Sequence, residues 1–315
     1  MVDSCFIGVE IGASKVQAAL GYADGKLISV SKHSVVLENG ASGILAWLEK
    51  EIPLLAEKGS REYGGVKAIG AGFGGILETS SGVSVVSVQV EGWKDFPVKA
   101  WFEKTFGLPV LVLNDTVAGG CGEYYARYGG SCGGCHSESN SAAPKVFFYT
   151  NIGSGIGGCI LINGRIFDGS GYGGAYFGHT YIPDCNSAVL GAYTKVETMC
   201  SGFGIEKRLG MRCIELEEKA RAGDKAALAE VERVADSYAL GLSNVITLFG
   251  VQEVVIGGGV AKFGDILFYP IRRQTEKYVF VSAFGRYRIE QSLLMDDAVL
   301  SGAINAAAGF IKEMA

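Results

Sequence analysis

Three short glycine-rich turns contain residues whose types and spacing are suited to binding an anion. They read Gly12-Ala13-Ser14-Lys15, Gly153-Ser154-Gly155 and Gly257-Gly258-Gly259. Backbone N–H groups in such turns can converge on an anion, and a serine hydroxyl adds a further donor. Glycine suits this task because a Cβ would block the close approach of phosphate oxygens. A single turn of this kind is typical of a tight hairpin, but three in one chain favour nucleotide binding.

The second turn also has the G-x-G-x-x-G spacing of a dinucleotide-binding fingerprint, at Gly153, Gly155 and Gly158. That fingerprint needs a helix after the glycines, because the pyrophosphate rests on the helix N-terminus. Here the apolar run 159–162 follows and ends in Asn163-Gly164, a strong hairpin signal. The glycines therefore join two strands, and the pattern argues against an NAD-dependent dehydrogenase.

The elements around the first two turns follow one repeated layout. Strand, glycine turn, strand, turn and strand occur over residues 6–31 and again over 146–167, with Ser14 and Ser154 at like places. An internal duplication is the simplest explanation. Strands alternate with helices along the chain, and helices are predicted at residues 43–58, 98–106, 228–249, 265–278 and 298–313. We therefore predict an α/β protein with two similar domains that face each other across a cleft.

Composition excludes several classes of protein. Apolar residues make up 48% of the 315 and charged residues 19%, which favours a large core over long disorder. A net charge of −5 without a Lys/Arg-rich run argues against a nucleic-acid partner. No apolar run is long enough to span a membrane, and Asp3 argues against a secretion signal. The eight irregularly spaced cysteines are expected to be free thiols of a cytoplasmic protein.

Residues 127–145 are predicted to form a flexible surface loop, because of their content of glycine, serine, asparagine and proline. The loop contains Cys132-x-x-Cys135-His136, which has the spacing of a c-type haem attachment site. Haem attachment needs an exported chain, and the first residues of this sequence do not lead us to expect export. A zinc site would need a second pair of ligands, and none is obvious. The pattern assigns no role to the loop.

Several segments, in this order, resemble the ROK family of sugar kinases and repressors, within the sugar-kinase, heat-shock-chaperone and actin superfamily. They are "IGVEIGASKVQAAL" at 7–20, "GLPVLVLNDTVAGGCGEY" at 107–124, "NIGSGIGGCILINGRIFDGSGYGGAYFGH" at 151–179 and "VVIGGGVAKFGD" at 254–265. The resemblance runs nearly end to end. It implies two actin/ribonuclease-H-like α/β domains, each with a mixed sheet flanked by helices, and an active-site cleft between them. The implied N-terminal lobe is 1–115 plus a C-terminal helix at about 298–315, and the C-terminal lobe is 116–297.

The activity that this resemblance implies is the ATP-dependent phosphorylation of a hexose or N-acetylhexosamine hydroxyl, in a cytoplasmic homodimer. The three glycine turns would bind ATP. Asp115 is the candidate general base, with a helix N-cap as its alternative role. Glu10 stands where the family usually has Asp and would hold Mg²⁺ through water, unless it is only an acid at a strand end. Lys15 either neutralises phosphate charge or caps the first hairpin.

The sugar-binding residues implied by the resemblance are Gly75, Asn114, Tyr176, His179 and Glu197. The family's G-E-x-G-H motif is represented by 175–179, and Tyr176 replaces its glutamate. A charge-assisted hydrogen bond of about 1.5–3 kcal/mol is then lost or replaced by a neutral phenol contact. The family's zinc-binding cysteines are missing from 188–195, so no structural zinc is expected. Without zinc, His179 either contacts the sugar or packs in the core.

Two functions from different classes remain open at this point. Asp115, the glycine turns and Glu10 favour an active sugar kinase. Tyr176 and the missing cysteines favour a sugar- or nucleotide-binding regulatory protein with weakened or lost catalysis. The sequence does not indicate which sugar is bound.

Overall fold

The computed structural model describes residues 4–87, 89–130, 142–173 and 175–314. The chain forms two compact units. Unit 1 comprises Met1–Ala143, Cys159–Gly174 and Asp297–Ala315, and unit 2 comprises Pro144–Gly158 and Ala175–Asp296. The Cys132, Cys135 and His136 pattern lies outside the described residues. In the described part of the chain, no helix is both long and apolar enough to cross a membrane.

The first half of the chain builds a five-stranded mixed sheet and a separate small hairpin. Its strands are β1 (Cys5–Ile11), β2 (Lys15–Tyr22), β3 (Leu27–Ser34), β4 (Val66–Phe73), β5 (Ile76–Glu78), β6 (Val83–Val86) and β7 (Val110–Asn114). The sheet order is β3-β2-β1-β4-β7, and β5 pairs with β6. The first three strands are antiparallel neighbours, whereas β1, β4 and β7 run parallel. The carboxyl ends of the three parallel strands therefore meet at one edge.

The second half repeats this order. Its strands are β8 (Val146–Asn151), β9 (Gly158–Ile162), β10 (Arg165–Ile166), β11 (Tyr181–Pro183), β12 (Tyr193–Lys195), β13 (Glu253–Gly257) and β14 (Arg288–Gln291). The larger sheet has the order β10-β9-β8-β13-β14, with β8, β13 and β14 parallel. A strand, β9, follows the second glycine turn, and the next turn has positive φ at Asn163 and Gly164. The helix that a dinucleotide fingerprint requires is therefore absent at this place.

Helices flank both sheets, which confirms the predicted mixed α/β fold class. They are α1 (Gly40–Glu62), α2 (Val98–Phe106), α3 (Asp115–Tyr128), α4 (Val196–Cys200), α5 (Gly202–Leu209), α6 (Cys213–Arg221), α7 (Lys225–Phe249), α8 (Asp265–Tyr278) and α9 (Ala298–Met314). Helix α7 shows why these segments are helical. Asp224 caps its start by accepting from the Ala227 N–H at 2.8 Å, and Gly250 ends it at φ 62°.

The sheet of unit 1 is covered on both faces, as strands with parallel neighbours require. Helix α1 buries Ile44, Leu48 and Ile52 against one face, in a core that includes Ile7 and Val9. Helix α9 buries Leu300 and Ile304 against the residues that point the other way, Phe6, Ala19 and Ala68. Alternate residues of β1 therefore pack against two different helices, one on each face of the sheet.

Helices α3 and α9 cross at a point where both present glycine. A Cβ on Gly122 would lie 2.5 Å from the backbone oxygen of Ala298, and a Cβ on Gly302 would overlap the backbone oxygen of Ala118. This close approach places α3 in unit 1, whereas the sequence prediction divided the lobes at residue 115. The lobe boundary itself stays a prediction.

Replacing Gly302 by Ala is expected to destabilise the protein by about 2–4 kcal/mol, because the helices must separate to admit the methyl group. Alanine improves helix propensity by only about 1 kcal/mol, too little to offset the overlap. Urea unfolding would measure the change. Gly259→Ala is the control, since φ is −61° there and a Cβ would meet no atom within 4 Å. Equal stability of Gly302→Ala and wild type would contradict the described crossing.

Candidate functional site

The predicted site residues of unit 1 lie at the carboxyl ends of its parallel strands. Ile11 pairs with Phe73, and Phe73 pairs with Asn114. Glu10 is the residue before Ile11, and α3 begins at Asp115 directly after β7. The sheet therefore brings these side chains to one edge, where open α/β sheets usually bind ligands.

The two oxygens of the Asp115 carboxyl group differ in their hydrogen bonding. Its Oδ1 accepts from the Thr116 N–H at 2.7 Å and from the Thr116 hydroxyl at 3.2 Å. Within the described residues, Oδ2 has no hydrogen-bond partner. A Cβ on Gly74 would lie 3.3 Å from Oδ2, so this glycine keeps the space beside that oxygen clear. Oδ2 is therefore the atom that can accept a proton.

The surroundings of Asp115 disfavour the ionised form of its carboxyl group. The residue is half-buried. Burial is the largest influence, and it combines with the negative charge of Glu10 to raise the pKa of Asp115 to about 6. Hydrogen bonds from Thr116 and the charge of Lys15 oppose this shift without cancelling it. The carboxylate is thus ionised at neutral pH yet has a stronger proton affinity than an exposed aspartate, as a general base needs.

Asn114, not Asp115, is the N-cap of α3. Its Oδ1 accepts from the N–H groups of Thr116 at 3.0 Å and Val117 at 3.3 Å. Its Nδ2 donates to the backbone oxygens of Gly75 at 3.1 Å and Phe73 at 3.5 Å. The side chain therefore fastens the start of α3 to residues 73–75. Sugar contacts by Asn114 and Gly75 stay predictions.

Glu10 is buried and is held by two neighbours on β2. Its Oε1 lies 3.2 Å from the Lys15 Nζ, and its Oε2 accepts from the Gln17 Nε2 at 2.5 Å. Gln17 is directly opposite Glu10 in the β1–β2 register and is fully buried. Sequence reasoning missed Gln17, although a lone amide within the apolar run of β2 was a signal for a buried polar partner.

Residues 12–15, hereafter the first turn, close a hairpin and leave backbone donors open. The Gly12 N–H donates to the Lys15 oxygen at 3.0 Å. The N–H groups of Ala13 and Ser14 and the Ser14 hydroxyl have no partner in the part of the chain that the structure describes. Those three donors, with Lys15 next to them, could bind an anion.

Residues 152–157, hereafter the second turn, show the same arrangement in unit 2. The Gly153 N–H donates to the Gly155 oxygen at 3.0 Å, the Ile156 N–H to Glu197 Oε2 at 2.8 Å, and the Gly157 N–H to Asn151 Oδ1 at 2.8 Å. Among the described residues, the N–H groups of Ser154 and Gly155 and the Ser154 hydroxyl remain without a partner. The duplicated turns therefore share an open serine hydroxyl and two open N–H groups.

Residues 257–259, hereafter the third turn, pack directly on the second. The Ile152 N–H donates to the Gly257 oxygen at 2.9 Å, and the Val260 N–H donates to the Ile152 oxygen at 2.9 Å. The third turn, which contains Gly258 and Gly259, thereby supports the start of the second turn from the neighbouring strand β13. Its contact with ATP stays a prediction.

Tyr176 and His179 lie together at a short 3-10 turn, and both are exposed. Their rings meet edge to face with centroids 6.4 Å apart. The alternative that His179 packs in the core is therefore wrong, whereas sugar contacts by both residues stay predictions. Glu197 is half-buried near the start of α4, where it accepts the Ile156 N–H.

Comparison with known proteins gives one consistent set of similarities. A sequence model described as ROK family matches residues 6–309. The glucokinase of Thermotoga maritima is 27% identical, over 98% of this chain and 97% of its own length. The xylose repressor of Caldicellulosiruptor bescii is 23% identical, over 95% of this chain and 76% of its own. The crystal structure of a ROK family glucokinase from Streptomyces griseus with glucose and AMPPNP shares the fold, with a TM-score of 0.76 at 24% identity, over 96% of this chain and 99% of that one.

Replacing Asp115 by Asn is expected to stabilise the protein at neutral pH. The folded-state pKa of about 6 exceeds the ordinary value of 3.8, so the folded protein binds this proton more tightly than the unfolded chain does. Wild-type stability therefore falls as pH rises from about 4 to about 6, and the loss persists above that range. The variant should gain about 1–3 kcal/mol at about pH 7.5, a gain that vanishes toward about pH 4.

Urea unfolding at both pH values measures this difference. Asp95→Asn, a change at an exposed aspartate with positive φ, is the control and should track the wild type at each pH. Identical pH dependence of wild type and Asp115→Asn would contradict the described setting of the carboxyl group.

Proposed function

Because this chain belongs to the ROK family, we propose that it is an ATP-dependent sugar kinase that phosphorylates a hydroxyl of a hexose or N-acetylhexosamine. The observation that carries the proposal is Asp115, a half-buried carboxyl group with a pKa raised to about 6 and an open Oδ2. The similarity to a glucokinase and to a glucokinase structure with glucose and AMPPNP supports both substrates. A cytoplasmic homodimer stays a prediction.

The proposed reaction begins with proton transfer to Asp115 Oδ2 from the sugar hydroxyl. The hydroxyl oxygen attacks the γ-phosphorus of ATP. A new P–O bond forms while the bond to the leaving ADP oxygen breaks, and the proton leaves later from Asp115 to solvent. A positioned base contributes a rate factor of about 10²–10⁴. Alignment of the two substrates and stabilisation of phosphate charge supply most of the remainder.

Phosphate oxygens suit the open donors of the first and second turns. Each turn offers two N–H groups and a serine hydroxyl, namely those of Ala13 and Ser14 in unit 1 and those of Ser154 and Gly155 in unit 2. Lys15 adds a positive charge next to the first turn, where it is also paired with Glu10. These donors are fixed by the backbone, so little reorganisation accompanies phosphate binding.

The residues present fit a magnesium ion. Carboxylate oxygens are the donors that Mg²⁺ prefers, and the charge of Glu10 already raises the pKa of Asp115, so a cation nearby would relieve that repulsion. No group of three or more His, Cys, Asp or Glu side chains among the described residues could hold a metal alone. Glu10 would therefore hold Mg²⁺ through water, together with phosphate oxygens. When bound, the ion offsets negative charge on the phosphates.

A regulatory binding protein is the second candidate function. Tyr176 stands where the family's motif has a glutamate, and its side chain is exposed. The 23% identity to a xylose repressor also supports a regulatory function. In this alternative, sugar and nucleotide still bind while phosphoryl transfer is weak or lost.

A coupled assay of ADP release across a panel of monosaccharides separates the two functions. We expect one or more sugars to stimulate ATP turnover, and Asp115→Ala to lower that turnover by about 10²–10⁴. Glu215→Ala, which removes a half-buried carboxylate of α6 that is paired with Arg212, is the control and should retain wild-type turnover. If no sugar stimulates turnover but sugars still raise the melting temperature, the regulatory function is correct.

A further inference from the structure

The carboxylate of Glu197 is bonded to the second turn. Its Oε2 accepts the Ile156 N–H at 2.8 Å, across 41 positions of sequence. Its Oε1 has no hydrogen-bond partner within the described residues. Ile156 follows Gly155 directly, so this bond fixes the backbone next to one of the open N–H groups. A residue that family resemblance places on the sugar side is thus bonded to a turn proposed to bind phosphate.

The other side of Ile156 is confined by the turn that follows Tyr176. A Cβ on Gly178 would overlap the Ile156 backbone oxygen, so the two backbones lie in close contact. Phe177 anchors that contact because its ring packs edge to face on Phe148 and Tyr238, at centroid distances of 5.6 and 5.3 Å. Ile156 therefore has its N–H held by Glu197 and its carbonyl oxygen held in place by packing.

The next residue, Gly157, is held by a buried chain of hydrogen bonds. The Thr150 hydroxyl donates to the Gly157 oxygen at 2.7 Å and lies 2.8 Å from the Tyr238 hydroxyl. Because the Thr150 proton is used on Gly157, Tyr238 is the donor to Thr150. Asn151 accepts the Gly157 N–H. Hydrogen bonds thus fix the second turn after Gly155. Among the described residues that make these bonds, Glu197 is the one with a charged side chain.

We propose that Glu197 is a positioning residue for nucleotide binding: by holding the Ile156 N–H it keeps the N–H groups of Ser154 and Gly155 in the orientation that binds phosphate. This inference rests on the proposed function, because it requires a nucleotide on the second turn. It differs from a sugar-binding role, because it acts when no sugar is present. Hydrogen bonds to a charged group are about twice as strong as neutral ones, so the carboxylate suits the task.

The charge of Glu197 by itself acts in the opposite direction. A carboxylate near the second turn repels an anionic phosphate, so removing it would tighten binding if charge alone mattered. The two effects therefore predict opposite signs for one substitution. We expect the loss of the hydrogen bond to dominate, because without it the backbone that carries the Ser154 and Gly155 N–H groups can move.

Calorimetric titration of the full chain with Mg-AMPPNP, without any sugar, tests the proposal. Glu197→Ala should weaken the affinity about tenfold, the size expected for losing one charge-assisted bond. Glu197→Gln keeps an oxygen that can accept the Ile156 N–H, so its loss should be smaller, about threefold. Hydrogen exchange at the Ile156 amide should be faster in Glu197→Ala and close to wild type in Glu197→Gln.

Asp224→Ala is the matched control. Asp224 is also a carboxylate of unit 2 that accepts a backbone N–H at 2.8 Å, but its partner is Ala227 at the start of α7. Its removal should lower the melting temperature of the protein and leave the Mg-AMPPNP affinity within about twofold of wild type.

The outcomes separate this inference from the proposed function. If Glu197→Ala binds Mg-AMPPNP as tightly as the wild type, or more tightly, the positioning role is overturned while the kinase proposal stands. If Asp224→Ala loses as much affinity as Glu197→Ala, the effect is general destabilisation, and the positioning role is again overturned. If the wild type binds no Mg-AMPPNP, both proposals are overturned. Should Glu197→Ala fail to fold, the affinity and amide exchange of Glu197→Gln decide the question.

Discussion

The carboxyl groups of Glu10 and Asp115 are held at one edge of the unit 1 sheet, close enough for the charge of one to raise the pKa of the other. The parallel strands β1, β4 and β7 end at this edge, and both acids sit at strand ends there. The hydrogen bond from Gln17 and the ion pair with Lys15 fix Glu10. Helix α3, which starts at Asp115, is fixed by its N-cap Asn114 and by its crossing with α9. The two carboxylates repel each other, so the site depends on the rigidity of the elements that hold them.

Much of this arrangement could be predicted from the sequence, because it depends on local pattern. Apolar runs that end in glycine turns predict the strands, and their repetition predicts two similar domains that each start with a hairpin. Asn163-Gly164 predicts a hairpin after the second turn, which argues against a dinucleotide-binding turn there. The family resemblance then adds a ROK fold, which the structure and the comparisons confirm.

The remaining features depend on partners that are distant in sequence, and local pattern carries no information about them. Glu197 and Ile156 are 41 positions apart, and Thr150 and Tyr238 are 88 apart. The pairing of Gln17 with Glu10 follows from register, but only once β1 and β2 are aligned as neighbours. The close approach of Gly122 and Gly302 is likewise set by how two helices cross, which neither helix sequence specifies alone. The sequence predicts that the Asn114 side chain contacts the sugar, which stays a prediction, and it gives no sign that this side chain caps α3, as the structure shows.

The raised pKa of Asp115 is the claim on which the proposed chemistry depends, and a carbon-13 NMR titration of its carboxyl group measures it directly. The signal can be assigned by its loss in Asp115→Asn. We predict a midpoint of about 6 in the wild type and a lower midpoint in Glu10→Gln, since that variant removes the charge that helps to raise it. A wild-type midpoint near 3.8, or one that does not move in Glu10→Gln, would contradict the account.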